Sequence, residues 1–283
     1  MQKKIETVKT LLDAIPFIKE FNKEIVVIKY GGWAQSSAEL KEKLAQDVLL
    51  MQLVGIKPVI VHGGGQKITD MLEALKIESK FIEGQRVTSK EVMRIVEMVL
   101  SGEINKEIVS LLNSHGAKGI GISGKDAHFI TAKAKDFSKW GLVGNITNVK
   151  PDVILNLIGE NFIPVIAPIA AADEMGHPGF NINADLCAVY VAKAIGANKI
   201  IFLTDTPGVL NKDKKLLVTL TKEEIKALKD DGTIHGSMLS KVDSCLDALD
   251  GGVQKAHIID GRIEHATLLE LFTSLGIGTQ IVS

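Results

Sequence analysis

Apolar residues recur at helical spacing through residues 4–21, at Ile5, Val8, Leu11, Leu12, Ile15, Ile18 and Phe21, with Pro16 placed to kink or split the helix. That stripe predicts a helix with one face in want of a partner. Beyond it, short apolar runs alternate with helical patterns: 25–28 precedes 38–54, 58–61 precedes 66–75, and 162–166, 184–195 and 199–203 continue the series. Runs of four or five mostly apolar residues between amphipathic helices predict an α/β protein on a mainly parallel sheet. From about 118 to 148 the pattern changes to short alternating runs punctuated by Gly and Asn, which predicts hairpins rather than crossovers. No repeat or Pro/Ser-rich linker interrupts the chain, so the pattern predicts one sheet-centred unit whose halves face each other across a cleft.

Composition narrows the function classes. The 283 residues carry 33 Lys+Arg against 34 Asp+Glu, a net charge of −1, so no overall field would hold a nucleic acid backbone or an anionic membrane. An anionic ligand would have to be met locally. The longest nearly unbroken apolar run, 162–172, contains Pro164 and Pro168 and is far short of the ~20 residues of a membrane span. Lys3, Lys4, Glu6, Lys9 and Asp13 break any secretory stretch, and the expected location is cytoplasmic. Cys187 and Cys245 lie in helical patterns and read as buried thiols, without metal-ligand spacing.

Gly119, Gly121 and Gly124 spell G-x-G-x-x-G and overlap most of a phosphate-binding P-loop, but no helix follows and Asp126 stands where Ser or Thr would hold magnesium. A turn is the expected structure there. Two other clusters sit where phosphate chemistry wants them. Lys29-Tyr30-Gly31-Gly32 and His62-Gly63-Gly64-Gly65 each follow a strand and precede a helix, so an anion could reach backbone N–H groups at a positive helix end. Asn181-Ile182-Asn183-Ala184-Asp185 enters another helix, and Lys241 follows Gly236-Ser237-Met238 at the start of a further one. Capping and solvent exposure explain these residues singly. Together they suggest that Lys29 and Lys241 converge on a transferring phosphoryl group with Asp185 between them.

These residues resemble the amino acid kinase family, and within it the acetylglutamate branch. The likeness runs along nearly the whole chain: IKYGG at 28–32, VHGGG at 61–65, GQRVT at 84–88, VEMVLSGEINKEIV at 96–109, NINAD at 181–185, LTDTPGVL at 203–210 and HIIDGR at 257–262. The resemblance implies a three-layer α/β sandwich with a mainly parallel sheet. It implies an oligomerisation helix over 1–22, an acceptor-binding and dimerisation lobe over about 23–180 and an ATP-binding lobe over about 181–283. The implied reaction, the second step of arginine biosynthesis, moves the γ-phosphoryl of ATP, with Mg2+, to the side-chain carboxylate of N-acetyl-L-glutamate. Lys29, Lys241, Asp185 and Gly32 would be catalytic. Gly64, Gly65, Arg86 and Asn181 would bind the acceptor, and Gly31, Thr204, Asp205, Gly208 and Met238 the nucleotide. The magnesium would be held by the nucleotide phosphates, with no protein ligand.

The N-terminal helix and the tail further resemble the arginine-inhibited members, in which such helices interlace homodimers into a hexameric ring, a trimer of dimers. Lys212, His257, Glu270 and Gly276, with Phe17 nearby, would then form an L-arginine site. The chain departs from the family at Trp33, where Asn is usual, and at Ser237, where a second Gly is usual. Two other readings keep the fold: a kinase for a related acceptor such as glutamate or aspartate, and a catalytically silent sensor of arginine or nucleotide whose loop around Trp33 no longer closes.

Overall fold

The computed structural model describes residues 1–31, 37–273 and 276–283, so Gly32 and Trp33 lie outside the described residues. Eight strands form the central sheet. Across it their order is Thr219–Thr221, Thr279–Val282, Lys255–Asp260, Lys199–Thr204, Ile25–Tyr30, Lys57–His62, Ile163–Ala167 and Gly119–Ser123. All neighbours run parallel except Lys255–Asp260 against Thr279–Val282. The inner strands are continuous apolar runs because helices cover both faces; Val26, Val27, Ile28, Val59, Ile60 and Val61 are all fully buried. The result is the mainly parallel α/β sheet that the alternating pattern predicts, in the three-layer arrangement that the resemblance implies.

Pro16 does split the N-terminal helix: Gln2–Asp13 ends at Ala14 and Ile15–Phe21 resumes with the proline in its first turn. Phe21 is buried, whereas Ile5, Val8 and Leu12 stay exposed on the first segment. Ala38–Leu53 starts with the Ser37 hydroxyl accepting from the Leu40 amide. Ala184–Ala194 starts with the Asn183 side chain accepting from the amides of Asp185 and Leu186. Among the described residues no helix is long and apolar enough to cross a membrane.

The region 118–148 divides. Ile130–Ala134 and Gly144–Val149 form the expected antiparallel hairpin. Gly119–Ser123, expected as a turn, is instead the edge strand of the main sheet, parallel to Ile163–Ala167. Its glycines serve packing. A Cβ on Gly121 would lie 1.8 Å from Asn105 Oδ1, and one on Gly124 would lie 2.3 Å from the Ile169 carbonyl oxygen and 2.6 Å from Ile130 Cβ. Gly124→Ala is therefore expected to cost roughly 1–3 kcal/mol. Gly159→Ala, where a Cβ would meet nothing within 4 Å, should be neutral or stabilising. Urea denaturation of the two variants checks the contrast.

Candidate active site

Because the inner strands run parallel, Tyr30, His62 and Thr204 end at one edge of the sheet, where α/β proteins bind ligands. Lys29 leaves its strand one residue before that edge. Its ammonium lies 2.9 Å from Asp185 Oδ1, in the first turn of Ala184–Ala194, and Lys241 approaches Asp185 Oδ2 at 4.0 Å from the first turn of Ser237–Asp250. All three side chains are less than a fifth exposed. Burial alone would raise the Asp185 carboxyl, but the Lys29 and Lys241 charges outweigh it and hold it below the ordinary carboxylate value. Two ammonium groups thus share one carboxylate beside helix N-termini, leaving a net positive cradle.

The glycines at the strand ends bring backbone to this cradle. A Cβ on Gly31 would sit 3.2 Å from Lys29 Nζ and 3.7 Å from the Gly63 amide nitrogen. Gly63 donates its N–H to the Tyr30 carbonyl, stitching the two loops together. A Cβ on Gly64 would fall 2.2 Å from Ile104 Cδ1, whereas one on Gly65 would meet nothing within 4 Å.

Arg86 and Asn181 are brought together from opposite ends of a hairpin cluster. Asn181 Nδ2 donates to Thr88 Oγ1 at 3.1 Å, and Thr88 Oγ1 donates to the Arg86 carbonyl at 2.9 Å. The Arg86 guanidinium donates to Ser79 Oγ, to Thr69 Oγ1 and to the Gly65 carbonyl, and lies 4.6 Å from the centre of the Phe81 ring. These contacts use three of its five donors. It is 6% exposed, burial lowers its pKa, and among the described residues no carboxylate pairs with it. A surface ion pair is thereby excluded. A buried cation held only by neutral oxygens beside a helix start is suited to an anionic ligand. Sequence reasoning missed Thr88, whose partner Asn181 lies 93 residues away along the chain.

On the other side of the sheet's central strand, Thr204 Oγ1 accepts from the Thr206 amide and so fixes the loop that exposes Asp205. Met238 is half-buried against the core, in the first turn of its helix. Gly208 has a different cause for its glycine: at φ 139° a Cβ would lie 2.6 Å from Thr279 Oγ1, so chain packing demands it.

A second cavity, about 360 Å³, opens behind the sheet between the second N-terminal helix and Ala266–Phe272. Phe17, Phe21, Lys199, His257, Glu270 and Gly276 line it. His257 Nδ1 lies 2.6 Å from Glu270 Oε1, while Glu270 Oε2 accepts from the amides of Ile277 and Gly278. His257 Nε2 is buried without a protein partner. Lys212 does not reach this cavity. It is 68% exposed and pairs with Asp231 at 2.9 Å, held on the far loop by that carboxylate. The lysines that do line the cavity are Lys199 and Lys255, and Lys199 is pushed down to about 8 by burial and by the charge of Lys255. Lys199 stood at the start of an apolar strand, where nothing in the pattern marks it.

Comparison with known proteins gives a consistent set. The amino acid kinase family model matches residues 24–260. The acetylglutamate kinase of Sulfurimonas denitrificans is 80% identical over 99% of this chain and 99% of that protein, and that of Nitratiruptor sp. is 68% identical over 100% and 99%. Among solved structures, N-acetylglutamate synthase from Neisseria gonorrhoeae, complexed with coenzyme A and N-acetyl-glutamate, superposes with a TM-score of 0.85 at 24% identity. The match covers 98% of this chain and 63% of the synthase. That likeness shows the fold.

Proposed function

This chain belongs to the amino acid kinase family, and we propose that it transfers the γ-phosphoryl group of ATP to the side-chain carboxylate of N-acetyl-L-glutamate, an early step toward arginine. The observation that carries the reading is the Lys29–Asp185–Lys241 cluster at the carboxyl edge of the sheet. The two high-identity relatives select the acceptor.

The acceptor carboxylate is ionised at neutral pH, so the reaction needs no general base. Its oxygen attacks the γ-phosphorus in line, the bond to the β-phosphate oxygen breaks, and ADP leaves without a proton transfer. The obstacle is repulsion between two anions. In our reading Lys29 stands between nucleophile and γ-phosphate, and Lys241 meets charge developing on the β–γ bridge. Asp185 keeps the two ammonium groups from repelling one another apart. Gly31 admits the triphosphate, Gly64 and Gly65 present the acceptor with a helix start, and Arg86 clamps a carboxylate beside Asn181. Gly32 would add a backbone donor.

Among the described residues no group of three acidic, histidine or cysteine side chains could hold an ion, and Asp185 is already shared by two lysines. Mg2+ would arrive with the triphosphate and be held by its phosphate oxygens.

Three finer readings extend the proposal. The acceptor lobe would run to about residue 180 and the nucleotide lobe from about 181. L-Arginine would occupy the cavity at Glu270 and inhibit; the buried Glu270 carboxylate and the unpartnered His257 nitrogen support this. The exposed Ile5, Val8 and Leu12 would seat on a second copy, building dimers into a hexamer in the cytoplasm.

Acyl phosphate trapped with hydroxylamine tests the acceptor. N-acetylglutamate should react, with glutamate, N-acetylaspartate and aspartate at least about tenfold poorer in kcat/KM. Equal use of glutamate would replace the acceptor assignment. Acid stability tests the cluster. Because the folded Asp185 pKa is depressed, its contribution is present above the unfolded value near 4 and lost as pH falls through the folded one. The stability gap between wild type and Asp185→Asn should therefore be widest at neutral pH and close on acidification, as read by urea melts.

A further inference from the structure

One stretch of the family-like sequence has no place in the site so far: the run at 96–109. In the structure Met98–Ile104 is a π-helical turn inserted between Lys90–Glu97 and Asn105–Ser114. Such turns displace the side chains that follow them and occur often at functional sites. Here the turn backs the His62–Gly65 loop. Leu100 and Ile104 occupy the space that a Gly64 side chain would need.

Asn105, the first residue after the turn, is 1% exposed. Its Nδ2 donates to the Val165 carbonyl at 2.9 Å and lies 3.2 Å from His62 Nε2. His62 Nδ1 lies 3.0 Å from the Gly63 carbonyl oxygen. A carbonyl can only accept, so Nδ1 carries the proton and Nε2 accepts from Asn105. Burial, with a smaller push from Lys106, brings the imidazole down to about 4, which fits a neutral ring in that tautomer. Lys106 Nζ holds Asn105 Oδ1 at 3.0 Å, orienting the amide, and Gly121 lacks a side chain where Asn105 enters. A chain of hydrogen bonds thus runs from the strand Ile163–Ala167 through Asn105 and His62 to the Gly63 peptide.

We propose that Asn105 and His62 are positioning residues which set the orientation of the Gly63–Gly64 peptide, and through it acceptor binding. The inference rests on the acceptor reading of the glycine loop given above. Neither residue touches a reacting atom.

The test compares Asn105→Leu, His62→Phe, the double variant and His62→Gln by steady-state kinetics and thermal melting. Each apolar single variant should raise the acceptor KM about tenfold while the ATP KM stays within about twofold, and the double should add little to the larger single effect. Stability should behave differently. Asn105→Leu strands a buried His62 acceptor, and the double variant removes both partners, so its melting temperature should recover while its acceptor KM does not. His62→Gln can still donate to Gly63 and accept from Asn105, and should regain part of the affinity lost in His62→Phe. Acceptor KM that recovers with melting temperature, or ATP and acceptor KM that rise together, would overturn the inference. Absence of turnover by the wild type with any acceptor would instead remove the functional reading beneath it.

Discussion

Lys241→Ala and Lys29→Met should each form acyl phosphate roughly 10³-fold more slowly than wild type, with the KM values for ATP and acceptor changed only a few-fold. The size follows from what a fixed cation does in this reaction. Ground-state phosphates are already solvated, whereas the charge that spreads over the γ-phosphoryl and the leaving oxygen arises only in the transition state. A lysine held beside Asp185 needs no reorganisation to meet it. The 2.9 Å pair of Lys29 and the 4.0 Å approach of Lys241 also make the two losses non-equivalent. Lys29→Met removes the closer partner of a buried carboxylate and should be the more destabilising of the two. Hydroxamate formation under saturating substrates, with urea melts beside it, separates the catalytic from the structural loss.

Glu270→Ala should give the largest stability change, roughly 3–5 kcal/mol, because it breaks a buried network from its centre. The carboxylate is held below its usual range: burial raises it, but hydrogen bonds from His257 and from the Ile277 and Gly278 amides prevail. Its loss leaves His257 Nδ1 and two backbone N–H groups without their acceptor. Gly276 curls over the same carboxylate at φ 61°, where a Cβ would lie 2.6 Å from Oε2. Glu270→Gln keeps the volume and one acceptor oxygen. It should fold, and should weaken arginine inhibition by at least about tenfold, since a guanidinium loses its counter-charge. Titration calorimetry with arginine on the folded Gln variant gives the binding side of that expectation, and inhibition assays give the other.

The sheet's inner strands were legible because burial on both faces writes them as uninterrupted aliphatic runs. The strand at 25–28 reads two residues short, since Lys29 looks like a strand end until Asp185 supplies its counter-charge. The edge strand Gly119–Ser123 was hidden by its glycines, which lower strand propensity and imitate a phosphate loop; they are there because Asn105 and Ile169 press against them. The two lysines and the aspartate could be named from sequence because each ends a strand or begins a helix. Thr88 and Asn105 could not. Their partners lie 93 and 43 residues away, and only the fold makes the hydrogen bonds that give them a role. The second cavity shows the converse: Lys212 has the exposed look of a ligand-binding residue, yet it pairs with Asp231 elsewhere, and Lys199 and Lys255 line the cavity instead.

In the proposed reaction a substrate carboxylate oxygen attacks phosphorus within the Lys29–Asp185–Lys241 cradle. N-acetylglutamate labelled with ¹⁸O in its side-chain carboxylate tests it. Hydroxylamine cleaves the acyl phosphate at carbon, so the released phosphate should carry a single ¹⁸O per turnover, seen by ³¹P NMR, and in Lys241→Ala this labelled phosphate should accumulate roughly 10³-fold more slowly. Unlabelled phosphate formed alongside ADP would mean that water attacks ATP instead of the acceptor carboxylate, and would overturn the proposed reaction.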